Sequence, residues 1–334
     1  MSGAADRQPA ADCPEGSGLA ADYAARIEAV ALPARVEALA ADYADVFGER
    51  EPFLWRWIYS LLPEFTLSSV PDAHAATVRE QKTILTLFVT LLDDLAEKRG
   101  DVRTFEAIRH SVCWGAGPAG ARPGVDTEVL ALAERLWEAV EAPLEAAPRS
   151  DRFREALAYD LRQSLNAMDY ARLVNDDLTM ATLAGAGHYG PHNMIMFPYA
   201  DLDLMYSPDF DPAEFGAVRE LTWHLQRMAR IGNWLSTWER ELAEGDYTAG
   251  VVVYALRAGI VSREAVTASD PATRAAAAAR IRDHGVEERF LAAWGRLYRS
   301  ARAHGPEAET VDLADYVAGM ETVMAHHLAS RGHK

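Results

Sequence analysis

Leu91-Leu92-Asp93-Asp94-Leu95-Ala96-Glu97 closes the apolar run Thr83-Ile84-Leu85-Thr86-Leu87-Phe88-Val89-Thr90, and the charged tail Lys98-Arg99-Gly100-Asp101 follows it. The run predicts a buried helix with an acidic end. At 3.6 residues per turn Asp93 and Glu97 stand one above the other, and Asp94 sits about 100° round. Three carboxylates so close repel one another, and apolar surroundings raise that cost. The arrangement asks for a cation. Mg²⁺ takes carboxylate oxygens and keeps several waters, so one or two side chains per ion suffice. The alternative is a solvated helix end with Lys98 and Arg99 as local partners; an isolated Asp-Asp-x-x-Glu leaves both open.

Composition narrows the function. Of the 334 residues 49% are hydrophobic, ample for a sizeable core. Lys and Arg number 33 against 50 Asp and Glu, a net charge of −17. That balance argues against a general surface for nucleic acid or anionic lipid. A small anionic ligand would need metal ions or a local group of arginines. Cys13 and Cys113 stand alone, too few for a disulfide framework or a zinc site. No run of 18 apolar residues occurs and no basic-then-apolar leader, so neither a transmembrane span nor a signal peptide is expected. A cytoplasmic location follows from this reading.

Along the chain, residues 1–19 carry little to bury and are expected to be a disordered tail, with one helical domain over 20–331. Aromatic-rich Pro52-Phe53-Leu54-Trp55-Arg56-Trp57-Ile58-Tyr59 suits either a core or a pocket wall. Gly and Pro mark a connection over 114–127. Helices are expected at roughly 127–146, 150–174, 212–244, 248–261, 271–283, 285–304 and 310–331. Between 185 and 212, Gly and Pro break any long helix, yet Met194, Met196, Phe197, Tyr199 and Met205 make an idle linker a poor reading. Strand-like alternation is nearly absent, with Val251-Val252-Val253 the sole fragment. The prediction is an all-α, single-domain bundle of ten or more helices around an apolar cavity.

A second constellation lies in Arg230-Ile231-Gly232-Asn233-Trp234-Leu235-Ser236-Thr237-Trp238-Glu239-Arg240-Glu241. Asn233, Thr237 and Glu241 repeat at i, i+4 and i+8 and share one stripe. Amide, hydroxyl and carboxylate oxygens are hard ligands suited to one Mg²⁺. Arg240 precedes the Glu, and Arg227 and Arg230 lie within two turns before Asn233. Cations beside a metal site suggest an anionic ligand such as a diphosphate. The competing reading is an exposed polar face, which the apolar Trp234, Leu235 and Trp238 on the same helix oppose.

With both motifs in view, the chain resembles the bacterial class I terpene synthases. Their aspartate-rich motif is matched by Asp93, Asp94 and Glu97, and their Asn-Thr-Glu motif by Asn233, Thr237 and Glu241, 140 residues on from Asp93. The resemblance spans roughly 50–330. It implies the class I terpenoid synthase fold and three Mg²⁺ held by those six residues, with Asp93, Asp94, Asn233, Thr237 and Glu241 as the catalytic set. It also implies Arg240 as a diphosphate contact and a linear prenyl diphosphate as substrate, geranylgeranyl diphosphate ahead of farnesyl diphosphate. A homodimer fits the same picture. Two other readings are a prenyl-chain-elongating transferase, for which Lys82, Lys98 and Lys334 are too few lysines, and a non-catalytic helical relative.

The chain also departs from the family pattern. Trp234 stands where Asp usually follows the motif Asn. No Arg occurs between Arg172 and Arg219, where the family carries a diphosphate sensor, so His188 or Arg230 is the expected substitute and Arg227 a further candidate. A C-terminal Arg-Tyr pair is missing; Tyr316, His326, His327 and Arg331 are the nearest residues. His188 and His192 are four apart, but Gly190 and Pro191 between them argue against a zinc site; His192-Asn193 is expected to stabilise the helix break through backbone hydrogen bonds. Phe88, Trp55, Trp223 and Met194 are the candidate cavity walls, with one of Trp55, Trp57 and Trp223 expected to face the cavity.

Overall fold

Residues 17–48, 50, 52–113 and 123–333 are described in a computed structural model. Residues 1–16 of the tail expected over 1–19 and most of the 114–127 connection lie outside them; Ser17 already opens a helix, so the last three positions of that tail are helical instead. The helices are α1 (Ser17–Glu28), α2 (Ala34–Phe47), α3 (Pro52–Leu61), α4 (Asp72–Asp93) and α5 (Val102–Ile108). They continue with α6 (Thr127–Glu141), α7 (Ser150–Asp176), α8 (Leu183–His188), α9 (Met196–Met205) and α10 (Phe215–Glu244). The last are α11 (Gly250–Arg257), α12 (Arg263–Val266), α13 (Pro271–Asp283), α14 (Val286–His304) and α15 (Leu313–Ala329). No strand occurs among the described residues. None of their helices is long and apolar enough to cross a membrane.

Local chemistry starts many of these helices where they start. Asp126 accepts from the N–H groups of Glu128 and Val129, Asp270 from Ala272 and Thr273, and Thr182 from Gly185. Each satisfies donors that a helix N-terminus leaves open. Pro52 and Pro271 occupy first helical positions, where the missing N–H costs nothing. The Val251-Val252-Val253 fragment is helical, not extended. All three side chains are buried, and α11 packs on α8, α10, α13 and α14. That packing overrides a weak β preference.

Helix α10 is the hub. It has 30 residues, about 45 Å of rise, and packs against α9, α11, α13, α14 and α15. Helix α4 is its counterpart, buried almost without interruption from Gln81 to Leu92 and packed on α2, α3, α6, α7 and α9. One ion pair is sealed in the core and a second, with a half-buried arginine, lies at its edge. Lys82 Nζ sits 2.6 Å from Asp203 Oδ1, both fully buried, and also donates to the Phe65 carbonyl. Arg219 grips Asp160 with two hydrogen bonds of 2.6 and 2.9 Å.

Candidate active site

α4 does not simply end at Asp93. The next turn, Asp94–Arg99, is a π-helix, wider by one residue than an α turn and a feature that recurs at functional sites. Gly100 stops it in the left-handed conformation, φ 61°. The turn separates the two aspartates. Asp93 and Glu97 line a cavity of about 490 Å³; Asp94 does not.

Asp94 instead faces α2. It accepts from Tyr43 Oη at 2.6 Å and from the Arg50 guanidinium through both oxygens, with Lys98 Nζ 3.5 Å away. Burial alone would raise its pKa, but Arg50 and Tyr43 more than offset that and hold it below the usual carboxylate range. The expectation that Asp94 shares a cation with Asp93 therefore meets a different placement, because Arg50 already occupies its oxygens. Asp93 is raised, by burial first and then by Asp94, while Asn193 Nδ2 donates to its Oδ1 at 3.0 Å and pulls the other way. Asn193 thus spends its side chain on Asp93 and not on the backbone of the helix break. The His192 carbonyl there accepts from Ser164 Oγ at 2.9 Å.

Asn233, Thr237 and Glu241 all line the same cavity, as an i, i+4, i+8 stripe must if its first member does. Thr237 Oγ1 donates its proton to the Asn233 carbonyl at 2.7 Å, so its lone pairs stay free. Asn233 Oδ1 accepts from Arg230 at 3.1 Å. Burial, then Asp246, pushes Glu241 up to about 7. Glu97 is pushed well above the carboxylate range by burial, then by Asp93 and Asp246. Glu97 Oε1 and Glu241 Oε2 are both buried without a hydrogen-bond partner among the described residues.

Among the described residues, no three His, Cys, Asp or Glu side chains converge closely enough to enclose a metal ion unaided. The donor chemistry nevertheless fits a hard divalent cation. Two orphaned carboxylate oxygens, the Asp93 carboxylate, an amide and a hydroxyl with free lone pairs open onto one cavity. Mg²⁺ needs few protein ligands and completes its shell with water or phosphate oxygens.

Four cations line the cavity, Arg50, Lys98, Arg230 and Arg240; the first two are paired with Asp94. Arg230 is 8% exposed and its Nε has no partner. Arg240 pairs with Glu244 at 2.5 Å, and its Nε is also unpartnered. His188 is exposed and Arg227 lines a separate pocket, so neither reaches this cavity. Helix α8 turns His188 outward, and Arg227 lies about 60° round α10 from Arg230, on the stripe that lines the separate pocket.

Apolar walls complete the site, and several differ from expectation. Met194 lines the cavity, as does Trp57. Phe88 packs against Trp137, Trp55 against Tyr43 and Trp223 against His192, all away from it. Trp234 points away as well, towards Phe290, so the residue that replaces the family's Asp does not touch the cavity. Of the C-terminal candidates only His327 lines it. Gly232 makes that approach feasible, since a Cβ there would lie 2.8 Å from the His327 ring. Ile195, a β-branched residue at φ 48°, marks the break before α9 and also lines the cavity; such a conformation is costly and persists only where the surroundings fix it.

Sequence reasoning missed Arg50, Asn193 and Asp246. Asp246 follows Gly245, the left-handed cap of α10, and accepts from Asn175 and the Thr248 N–H. The Gly-Asp step directly after the motif helix was its only signal. Arg50 and Asn193 lie 44 and 100 residues from their aspartates, beyond any local pattern.

No family model matches the chain, and no curated protein does. Among solved structures, isoprene synthase from grey poplar leaves (Populus x canescens) is similar, with a TM-score of 0.57 at 13% identity. The fold is that of a terpene synthase. The match covers 92% of this chain and 53% of the poplar chain, so the protein spans about half the length of that relative.

Proposed function

We propose that the protein is a class I terpene synthase, a carbon–oxygen lyase that ionises a linear prenyl diphosphate and cyclises the resulting cation. One observation carries this reading: two oxygen-ligand motifs, 140 residues apart in sequence, open onto a single apolar cavity with carboxylate oxygens left unpartnered. Buried polar atoms without partners are rare in cores and common at binding sites.

Asp93, Glu97, Asn233, Thr237 and Glu241 would hold Mg²⁺, three ions in the full complement. Bound there, the metal neutralises the charge that develops on the departing diphosphate. Arg230 and Arg240 bind and orient that anion, Arg230 from inside the cavity and Arg240 from its rim. Leu61, Leu62 and Phe65 exclude water from the cation, and the Trp57 indole offers it a π face. Asp94 acts through Arg50 and Tyr43 to fix the π turn that presents Asp93 and Glu97. Geranylgeranyl diphosphate is the favoured substrate and farnesyl diphosphate the runner-up. Support comes from the atypical 185–206 segment, which supplies Met194, Ile195 and Met196 to the wall.

The test is incubation with Mg²⁺ and prenyl diphosphates of ten, fifteen, twenty and twenty-five carbons, with products read by gas chromatography–mass spectrometry. A cyclic hydrocarbon or alcohol from the twenty-carbon substrate, abolished by EDTA, is the expected result. Absence of metal-dependent product from all four would overturn the reading.

A further inference from the structure

On a neighbouring face of α10 lies a second pocket of about 430 Å³ between α10 and α14. Its volume falls within the range of about 300–1,000 Å³ typical of small-molecule sites. Ile231 and Trp234 from α10 and Phe290 and Leu297 from α14 give it apolar walls. Two cations share it, Arg227 and Arg296.

Three features point to a ligand. Arg227 and Arg296 make no ion pair or hydrogen bond among the described residues, although the chain carries a net charge of −17. Trp234 is 4% exposed, lines the pocket, and its Nε1 donor has no partner. A buried indole N–H left unmade is costly, so this wall is incompletely satisfied as it stands. Finally, the two sites have separate linings on neighbouring faces of α10. Arg227, Ile231 and Trp234 follow at i, i+4 and i+7 on one stripe, and Arg230, Asn233 and Thr237 on a stripe about 90° round. No carboxylate lines the second pocket, so it has no means of holding a metal. Two arginines alone can balance one or two negative charges but not a diphosphate.

We infer that this pocket binds a small amphiphile with a carboxylate or phosphate monoester head on an apolar chain. Arg227 and Arg296 hold the head, and the apolar walls, Trp234 among them, take the chain.

Calorimetric titration of the full chain in EDTA with decanoate, decyl phosphate and decanol tests this. Both anions, or one of them, should bind at a single site on the order of tenfold or more tighter than decanol, since charge-assisted bonds to arginine are worth at least that factor. The double variant R227M/R296M should bring the anions down to the level of the alcohol. Ala293→Trp, which fills the pocket, should abolish binding, and Ser300→Trp at the exposed rim replaces it if that protein does not fold. Thr90→Trp, which narrows the active-site cavity, should leave the titration unchanged. Equal affinity for acid and alcohol, binding that survives the pocket-filling change, binding lost in Thr90→Trp, or no binding at all would each overturn the inference. Which anion wins decides between the two head groups.

Discussion

The molecule buries carboxylates in two ways, and the contrast separates structure from site. In the core, Asp203 is paired with Lys82 and accepts from the Leu67 N–H, and Asp160 is gripped by Arg219. At the cavity, Glu97 and Glu241 each keep a buried oxygen with no partner, and their nearest charges include other acids. Both environments raise a pKa by burial: Asp203 is pushed up to about 6 and Glu241 to about 7. In the core Asp201 also keeps an unpartnered oxygen, Oδ2, but Arg219 lies 3.9 Å from its Oδ1; at the cavity burial and neighbouring acids raise both groups, and that vacancy suits a cation. A fold selected purely for stability would have no reason to retain it.

The largest expected effect lies in the core. Lys82→Met strips Asp203 of its counter-charge and should cost about 3–5 kcal/mol of stability, the usual penalty for breaking a buried pair. Chemical denaturation measures it; a loss below about 1 kcal/mol would show that the pair is not structural.

The acidic turn should divide between its two aspartates. Asp93→Asn should lower turnover on the order of 10²-fold or more without lowering the unfolding midpoint, because burial raises the Asp93 pKa and the amide carries no charge to bury. Asp94→Asn should instead lower stability by about 1–3 kcal/mol, because Arg50 and Tyr43 lose a charged acceptor and one of its two oxygens becomes a donor. Since the Asp94 pKa is depressed in the folded state, its contribution is present above the ordinary carboxylate pKa and disappears as pH falls below it. Equal stability losses in the two variants would erase the distinction between them.

Glu241 has the opposite sign. Its folded pKa, about 7, lies above the ordinary 4.5, so ionisation favours the unfolded chain. Metal-free protein should therefore lose stability as pH climbs from about 4.5 through 7. Glu241→Gln should flatten that slope and stabilise the protein at pH 8 by about 1–3 kcal/mol, while impairing Mg²⁺-dependent activity. Thermal melts in EDTA at pH 5 and pH 8 measure the effect, and an unaltered slope would count against an unsatisfied Glu241.

The smallest effect concerns the arginines. Arg230→Ala should weaken prenyl diphosphate binding about tenfold at every pH, as an always-charged bidentate donor is lost. His188→Ala, on the exposed end of α8, should leave affinity unchanged. A pH-dependent loss in the histidine variant would restore His188 as the sensor.

The sequence by itself determined the helical class, most helix positions and the stripe Asn233, Thr237 and Glu241, because each follows from periodicity within one element. It also supplied Asp93 and Glu97 as neighbours. What it could not supply was the direction of Asp94, since a π turn and an arginine 44 residues upstream decide that. For the same reason Phe88, Trp55 and Trp223, which suit a pocket wall as well as a core, lie outside the cavity, while Trp57 and His327 line it. Aromatic content tells how much surface a residue can bury; only the crossing of α3, α4, α9, α10 and α15 decides which surfaces enclose a space. Tertiary packing also placed Asn193 and Asp246 at the site, because the contacts that orient them join segments with no shared local pattern.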